Sequence, residues 1–393
     1  MISKKIAEDL RNASFIRAMF EEGEKLRRTY GPEKVYDFSL GNPDNKPPEK
    51  VKKTLKNLIL EDNPNLHAYM SNAGYPDVKA KVAAHVQNES GISLTGENII
   101  MTCGAAGGLN VALKALLDPE DEVIIFAPFF VEYLFYVGNH GGKGVIVPTI
   151  KDTFEPDPAE LEKHLSSKTK AIILNSPNNP TGVVYNEKIL GEIAKVLEAA
   201  EKKFNTTIYV ISDEPYTKIV YDGVKVPSLL KAFKNAISIN SFSKSLALPG
   251  ERIGYIAVSS AIDNWKLLID AMTFTNRTLG FVNAPALFQK VIAEALDEEV
   301  DTSAYLKRRD MLYNHLISLG FECVKPQGAF YLFPKALIPD DVEFKNRALK
   351  YNLIIVPGKG FGCPGYFRLA YCISQKTIEN SLEAFTKLAA EFR

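Results

Sequence analysis

The sequence predicts an α/β protein with a mostly parallel sheet covered by helices on both faces, and a smaller α+β domain. Apolar strand-like segments alternate with amphipathic helical segments through the middle of the chain, at 122–126, 170–174, 207–212 and 236–240. Such continuously apolar strands are typical of parallel sheets that are buried on both faces. From Phe281 onward the pattern changes to helices and two strand-like runs, 321–333 and 366–372, which indicates a second domain.

The composition is that of an ordinary globular enzyme. The chain has 393 residues, of which 46% are hydrophobic and 24% charged, and this length fits two unequal domains. Lysine plus arginine and aspartate plus glutamate each number 47, so the formal net charge is zero. A nucleic-acid partner would require a basic excess or a basic stripe, and the sequence shows neither. We therefore expect no nucleic-acid partner.

Cysteine use and the first residues of the chain predict a cytoplasmic protein. The cysteines, at positions 103, 323, 363 and 372, form no CxxC pair, and no histidine cluster has the spacing of metal ligands. We interpret them as reduced thiols and expect no metal site. The N-terminal residues carry acids and lack a long apolar core, unlike a signal peptide. No run of about 18 apolar residues is present, so we expect no membrane span.

The first part of the chain predicts a packing helix followed by a turn. Residues from about Lys4 to Tyr30 place apolar side chains at helical spacing. The predicted apolar face consists of Phe15, Ile16, Met19, Phe20 and Leu26. The segment 37–44 is a short extended run broken by Gly41 and Pro43, which is typical of a turn. In the segment 67–75, Tyr69 precedes a loop and could be either a half-buried aromatic residue or a functional one.

A turn of small residues between a strand and a helix predicts an anion site. The apolar run 98–102 predicts a strand, and Gly104, Ala105 and Ala106 form the turn into an apolar helix. The first N–H groups of a helix have no partners within the helix, so they can bind a phosphate group. Tight packing alone could also require such small residues.

Two further strand ends carry residues suited to a planar ligand. The strand 122–126 leads into the segment 128–133, where Phe130 could stack on a flat ring or pack in the core. The strand 170–174 leads into Asn-Pro-Thr-Gly at 179–182, a sequence that forms a tight loop. Ligands of open α/β sheets bind at the carboxyl ends of the strands, where both segments are predicted to lie.

The next strand ends in a carboxylate. The strand 207–212 is followed by Asp213, and Tyr216 comes three residues later. An acid at the end of a strand is often only the N-cap of the next helix. A buried carboxylate can instead keep a ring nitrogen protonated, which a pyridine cofactor needs in order to withdraw electrons.

The segment 241–254 carries the chemistry around which the other segments are arranged. Ser241 and Ser243 precede Lys244, and Arg252 follows. A lysine amine condenses reversibly with an aldehyde, whereas serine hydroxyls and a guanidinium fork bind phosphate oxygens. An aldehyde that carries a phosphate is a description of pyridoxal 5′-phosphate. The segment therefore predicts this cofactor, although taken alone its charged residues could simply be solvated.

Together, and in this order, these segments resemble the class I and II aminotransferases, which are pyridoxal phosphate enzymes of fold type I. The resemblance extends from Gly41 to Arg368, and its most specific parts are the lysine segment and Asn-Pro-Thr-Gly. It implies a large cofactor-binding domain, residues 48–285, and a small domain formed by residues 1–47 and 286–393. It also implies a homodimer in which Tyr69 reaches the cofactor phosphate of the other subunit.

The resemblance also implies a role for each candidate site residue. Lys244 would bond the cofactor covalently, Asp213 would bind the ring nitrogen, and Tyr216 would donate to the phenolic oxygen. Phe130 would stack on the ring, and Asn179 would bind the phenolic oxygen. The residues implied around the phosphate are Gly104, Ala105, Ala106, Ser241, Ser243 and Arg252. The residues implied around the substrate carboxylate are Gly41, Asn179 and Arg368.

The predicted function is amino transfer between an L-amino acid and a 2-oxo acid, with aspartate and 2-oxoglutarate as the first pair. Alanine and aromatic amino acids stay open as donors. A pyridoxal phosphate C–S β-lyase, similar to cystathionine β-lyase, would share the same residues. A DNA-binding regulator of this family would need an added N-terminal module, and only about 40 residues precede Gly41. A catalytically silent scaffold is disfavoured by the complete set of Lys244, Asp213, Asn179 and Arg252.

Overall fold

The computed structural model describes residues 2–12 and 14–393. Its helices, α1 to α15 in chain order, are Lys4–Asn12, Ser14–Tyr30, Glu49–Leu60, Pro76–Ser90, Gly104–Leu116, Glu132–Asn139, Pro158–His164, Glu187–Phe204, Leu229–Ala232, Phe242–Ser245, Trp265–Thr278, Ala286–Ala293, Ser303–Ser318, Asp341–Leu349 and Gln375–Ala390. Its strands, β1 to β12, are Tyr36–Asp37, Ile99–Thr102, Glu122–Ala127, Lys143–Pro148, Thr169–Asn175, Tyr209–Asp213, Ala236–Ser241, Gly254–Val258, Tyr331–Leu332, Leu353–Ile354, Val356–Pro357 and Phe367–Ala370.

A 7-stranded sheet forms the centre of the molecule, in the order β2-β8-β7-β6-β5-β3-β4. The pairs β7/β6, β6/β5, β5/β3 and β3/β4 are parallel. Strand β8 is antiparallel to both of its neighbours, β2 and β7. All strands of this sheet except β8 therefore run in one direction, and their carboxyl ends meet at the same edge.

Helices cover both faces of the sheet because neighbouring strand residues point to opposite sides. In β3, Ile124 packs in a buried apolar cluster with Ile193 of α8. The next residue, Ile125, packs in a different cluster with Leu113 of α5. These apolar strands are buried on both faces, as the sequence predicts, and the mostly parallel α/β architecture is confirmed.

The two ends of the chain meet in a smaller set of elements. Strand β1 pairs in parallel with β10 near the other end of the chain, and the rings of Phe38 and Phe385 lie 5.6 Å apart. Of the two predicted strand-like runs, only residues 331–332 and 367–370 form strands, β9 and β12, which pair antiparallel. The domain boundaries at residues 47/48 and 285/286 stay a prediction.

Residues 4–12 and 14–30 of the N-terminal segment are helical, in α1 and α2, as the sequence predicts. Leu26 of its predicted apolar face is buried against Val35 and Ile354. The rest of that face, Phe15, Ile16, Met19 and Phe20, lies outside the described side chains. Within the described residues, no helix is both long and apolar enough to cross a membrane. The same part of the chain contains no cluster of three or more His, Cys, Asp or Glu side chains that could hold a metal ion.

Candidate active site

A cavity of about 300 Å³ lies at the carboxyl ends of the parallel strands. It is lined by residues that follow β2, β3, β5, β6 and β7, and by residues from the two ends of the chain. The predicted site residues that line it are Gly41, Ala105, Ala106, Phe130, Asn179, Asp213, Tyr216, Ser241, Ser243, Lys244, Arg252 and Arg368. The fold thus gathers residues that are separated by more than half of the chain.

The remaining predicted residues, Gly104 and Tyr69, lie outside this lining. Gly104 begins α5 with φ +73°, and a Cβ there would lie 2.6 Å from Nη2 of Arg252. A glycine is therefore required for the close approach of the guanidinium to the helix. Tyr69 is 90% exposed, so it does not contact this cavity within its own chain. Its predicted role concerns the other subunit.

Asp213 ends strand β6 and is only 6% exposed. The hydroxyl of Tyr133 donates to its Oδ2 at 2.5 Å, whereas its buried Oδ1 has no hydrogen-bond partner. Burial raises the pKa of Asp213 to about 7, although the hydrogen bond from Tyr133 opposes this shift. A buried carboxylate oxygen without a hydrogen-bond partner raises the free energy of the folded protein, unless a ligand supplies the partner.

Lys244 lies in the short helix α10, directly after β7. Its Nζ donates to the carbonyl of Gly41 at 2.7 Å. Burial lowers the pKa of Lys244 to about 8, and the guanidinium groups of Arg252 and Arg368 act in the same direction. Gly41 packs closely against Tyr331 of β9, since a Cβ at position 41 would lie 1.9 Å from the hydroxyl oxygen of Tyr331. The lysine is therefore a half-buried amine that loses its proton more readily than an exposed lysine does.

The first turn of α5 and Arg252 form an electropositive pocket. No side chain caps the helix at Cys103, so the first N–H groups of α5 have no side-chain acceptor. Nη1 of Arg252 donates to Ser243 Oγ at 3.5 Å and to the carbonyl of Pro249 at 3.0 Å. Helix N–H groups, a hydroxyl and a guanidinium are the donors that phosphate oxygens require.

Arg368 reaches the cavity from β12 and is 6% exposed. Its guanidinium donates to Asn179 Oδ1 at 3.1 Å and to the carbonyl of Ser39 at 2.6 Å. It also lies 4.7 Å from the ring centre of Tyr331 and 4.8 Å from that of Phe361, as cation–π contacts do. Its buried Nε has no partner, so the group is held in place and still has a free donor.

The residues present fit pyridoxal phosphate. The unpaired Oδ1 of Asp213 suits a protonated ring nitrogen, and the pocket at α5 suits a phosphate group. Lys244 supplies an amine that the fold holds partly neutral. Phe130 lies beside Tyr133, with their ring planes at 81°, at the edge of the same cavity. The donor set therefore matches the three ends of this cofactor.

Sequence reasoning missed several residues that hold the site together. Asn175 donates from its side chain to the carbonyl of Asp213 at 2.9 Å and accepts from the N–H of Asn179 at 2.7 Å. Tyr331 places its hydroxyl 3.0 Å from that of Tyr216. Tyr133 ends the segment 128–133, in which the sequence suggests a role only for Phe130. Asn175 and Tyr331 stand in strands without a local signal, and only the fold reveals their partners.

A family model described as Aminotransferase class I and II matches residues 33–385. The chain belongs to this family. The match covers every part of the cavity described above, from Gly41 to Arg368. The aminotransferase therefore uses pyridoxal phosphate, and its substrates are amino acids and 2-oxo acids. The predicted fold class, cofactor and reaction are confirmed.

Named relatives agree with this assignment. A probable aspartate/prephenate aminotransferase of Thermus aquaticus is 33% identical over 355 residues, which are 89% of this chain and 90% of that protein. Aromatic-amino-acid aminotransferase 2 of Thermococcus litoralis is 32% identical over 400 residues, which are 97% of this chain and 96% of that protein.

Solved structures show the same fold over nearly the whole chain. An amino transferase from Eubacterium rectale has a TM-score of 0.96 and 40% identity, with 100% of both chains covered. Aspartate aminotransferase from Thermus thermophilus with maleate has a TM-score of 0.85 and 30% identity, covering 96% of this chain and 98% of that chain.

Tyr133 positions the carboxylate of Asp213, and its hydroxyl can be removed without changing the ring. Tyr133→Phe is expected to lower kcat/KM about tenfold, because one hydrogen bond to a charged group is lost. Without that donor the pKa of Asp213 rises, so the acidic limb of the kcat/KM profile should move to higher pH. Steady-state rates between pH 5 and 9 measure both effects. Tyr185→Phe is the control, since Tyr185 is equally buried but its hydroxyl contacts Asn178; an unshifted Tyr133→Phe profile would contradict the assignment.

Proposed function

We propose that the aminotransferase uses Lys244 as covalent anchor and proton carrier, Asp213 as partner of the ring nitrogen, and Arg368 as binder of the α-carboxylate. The observation that carries this proposal is that the Lys244 amine and the Asp213 carboxyl group line one cavity, from the ends of the adjacent strands β7 and β6. An amine and a carboxylate that line one cavity suit the two ends of a pyridine aldehyde.

Lys244 is suited to move a proton within the cavity. Bound pyridoxal phosphate supplies an aldehyde and an electron-withdrawing ring, which makes the proton on the substrate Cα acidic. When a substrate amine displaces it from the cofactor, Nζ of Lys244 would be a free amine, and its pKa of about 8 suits a general base near neutral pH. With the cofactor bound, the same Nζ would hold that proton and give it up again, which is the proton transfer that a transamination requires.

Arg368 is suited to orient the substrate. Asn179 and the carbonyl of Ser39 hold two of its guanidinium nitrogens, while Nε stays without a partner. Because its orientation is set before the substrate arrives, little side-chain freedom is lost when a carboxylate binds. The amino acid and the 2-oxo acid both carry this carboxylate, so one arginine serves both half-reactions.

We further propose aspartate and 2-oxoglutarate as the donor and acceptor pair. The names of the relatives from Thermus aquaticus and Thermus thermophilus support aspartate. Aromatic donors are the second candidate, supported by the name of the relative from Thermococcus litoralis. The C–S β-lyase alternative is disfavoured, because the relatives named above are all aminotransferases.

A panel of amino donors tests the proposal. Each L-amino acid is added to the holoenzyme without a 2-oxo acid, and loss of the pyridoxal absorption band is followed; 2-oxoglutarate should then restore the band. Aspartate is expected to give the largest kcat/KM. Release of thiol and pyruvate from a cysteine conjugate, with no 2-oxo acid present, would instead indicate a β-lyase.

We also propose a cytoplasmic homodimer with a shared active site. The four free cysteines favour a reducing compartment, and the exposure of Tyr69 leaves its hydroxyl free to reach a second copy.

Tyr69→Phe is therefore expected to weaken cofactor affinity about tenfold while the dimer persists, since only one hydrogen bond to phosphate is lost. Equilibrium dialysis measures the affinity, and analytical ultracentrifugation measures the assembly. Tyr30→Phe, at another exposed tyrosine, is the control. Unchanged affinity in Tyr69→Phe, or a monomeric native protein, would refute the shared site.

A further inference from the structure

Glu132 is a carboxyl group in the active-site cavity that has no role in the steps above. It is the first residue of α6, two positions after Phe130 and next to Tyr133. It lines the same cavity as Lys244 and Arg368. Its Oε2 is buried and has no hydrogen-bond partner. A buried polar atom without a partner, at the wall of a substrate cavity, points to a group on the substrate.

The charges of the cavity limit which group that is. Its lining residues include three cations, Lys244, Arg252 and Arg368. Under the proposed function they serve the cofactor aldehyde, the phosphate and the substrate α-carboxylate. No fourth cation stands among these lining residues. Because the proposed function assigns Asp213 to the ring nitrogen, Glu132 is the one charged lining residue left to contact a side-chain carboxylate. Two ionised carboxylates side by side would repel, whereas a carboxylic acid can donate to a carboxylate.

We propose that Glu132, in its acid form, donates a hydrogen bond to the side-chain carboxylate of a dicarboxylic substrate. The inference rests on the proposed function, which places the α-carboxylate at Arg368. Binding of acidic amino acids and 2-oxo diacids would therefore require the proton on Glu132. A substrate without a side-chain carboxylate would not require it. Glu132 is then the residue of this chain that senses the substrate side chain.

The surroundings of Glu132 favour the acid form. Burial raises the pKa of Glu132, although the backbone N–H at Glu132 and the charge of Arg368 act in the opposite direction. The charged and titratable groups that face it are Arg368 from β12, Tyr331 from β9 and Tyr136 from its own helix. Asp213, Lys244 and Arg252 line the same cavity. A bound carboxylate would raise the pKa of Glu132 further, because a like charge favours the neutral form.

The pH dependence follows from this direction. The acid form predominates below the raised pKa of Glu132, so a dicarboxylate binds most tightly there. Its affinity falls as the pH rises through that pKa, by about tenfold for each further pH unit. Asp213 and Lys244 also titrate near neutral pH, so their contribution must be measured separately. A monocarboxylate provides this reference, because it contacts Arg368 but carries no second carboxyl group.

The experiment compares maleate with propionate as non-reacting ligands of the holoenzyme. Their dissociation constants are measured between pH 5 and 9 from the cofactor absorbance, in the native protein and in Glu132→Gln. The ratio of the two affinities is expected to fall with pH in the native protein. Above about pH 7, where both ligands are fully ionised, the ratio should be independent of pH in Glu132→Gln, whose amide donates at every pH. At pH 9 the variant should bind maleate at least roughly tenfold more tightly than the native protein.

Calorimetry in two buffers of different ionisation enthalpy gives a second readout. Native protein should take up one more proton with maleate than with propionate near the upper end of the pH range, and Glu132→Gln should not. Glu122→Gln is the matched control, because Glu122 lies at the opposite end of β3 and bonds Ser166. It should behave as the native protein does.

Two results would overturn the inference. One is the same maleate-to-propionate profile in Glu132→Gln and native protein, and the other is an equal effect of the variant on both ligands. The proposed function is tested separately by the donor panel. An active aspartate aminotransferase with proton-independent maleate binding would refute the role of Glu132 alone. Proton-linked maleate binding in an enzyme that does not accept aspartate would correct the proposed donor alone.

Discussion

Lys244→Ala is expected to abolish amino transfer, with kcat lowered by about 10⁴-fold or more. The substitution removes both the covalent anchor and the general base, and each of these contributes several powers of ten in enzymes of known mechanism. No other lysine stands among the described residues that line the cavity, so none of them offers a second amine. The rate of the half-reaction with excess amino acid, followed through the pyridoxal absorption band, measures the loss. Borohydride should fix the cofactor to the native chain but leave the variant unlabelled, as mass spectrometry can show.

Lys335→Ala is the matched control, because Lys335 is an exposed lysine whose only described ion pair is with Glu322 on the surface. It should retain native activity and borohydride labelling. A small amine such as methylamine should partly restore proton transfer in Lys244→Ala, since only the base is then supplied from solution. Native turnover by Lys244→Ala would show that the amine at this position is not the one that reacts.

Asp213→Asn is expected to lower kcat by about 10²–10³-fold, as does removal of one preorganised electrostatic partner in other enzymes. The carboxylate can hold a proton on a ring nitrogen, whereas a neutral amide of the same shape cannot. Because Tyr133 donates to Oδ2 and Asn175 donates to the backbone carbonyl, the side-chain position should survive the change. Steady-state kinetics with saturating cofactor measures the effect on chemistry, and equilibrium dialysis measures the effect on cofactor binding.

Glu214→Gln is the control, because Glu214 is the acid next to Asp213 in the chain and its side chain points away from the cavity. Glu214 is a half-buried acid, and its oxygens accept from Ser212 and Ser238 rather than facing the cavity. It is expected to affect stability more than turnover, because the amide disturbs two hydrogen bonds and no reacting group. If Asp213→Asn kept the native kcat while Glu214→Gln had a strongly reduced kcat, the assignment of the ring-nitrogen role to Asp213 would be wrong.

Patterns within short stretches of the sequence were enough to predict the sheet and the segments that carry the candidate residues. Strands 122–126 and 170–174 were recognisable because a strand buried on both faces must be apolar at every position. The lysine segment and Asn-Pro-Thr-Gly were recognisable because their chemistry or turn geometry lies within a few neighbouring residues. Since parallel strands end at one edge, the residues that follow them had to meet there.

The same local reasoning failed where the chain depends on distant contacts. It predicted strand-like runs at 321–333 and 366–372, of which only residues 331–332 and 367–370 form strands. Short strands such as β9 and β12 owe their existence to their partners rather than to their own propensity. Strand boundaries in the small elements are therefore a tertiary property.

By itself, the sequence was enough to predict the α/β class and the cofactor, and it singled out candidate residues with which that cofactor could react. Only the tertiary structure decided that Tyr133 bonds Asp213, that Asn179 bonds Arg368, and that Glu132 keeps a free oxygen in the same cavity. The physical reason is that reactive groups and turn residues are visible from their neighbours in the chain. Burial, unpaired atoms and shifted pKa values arise only when residues far apart in the chain exclude water together.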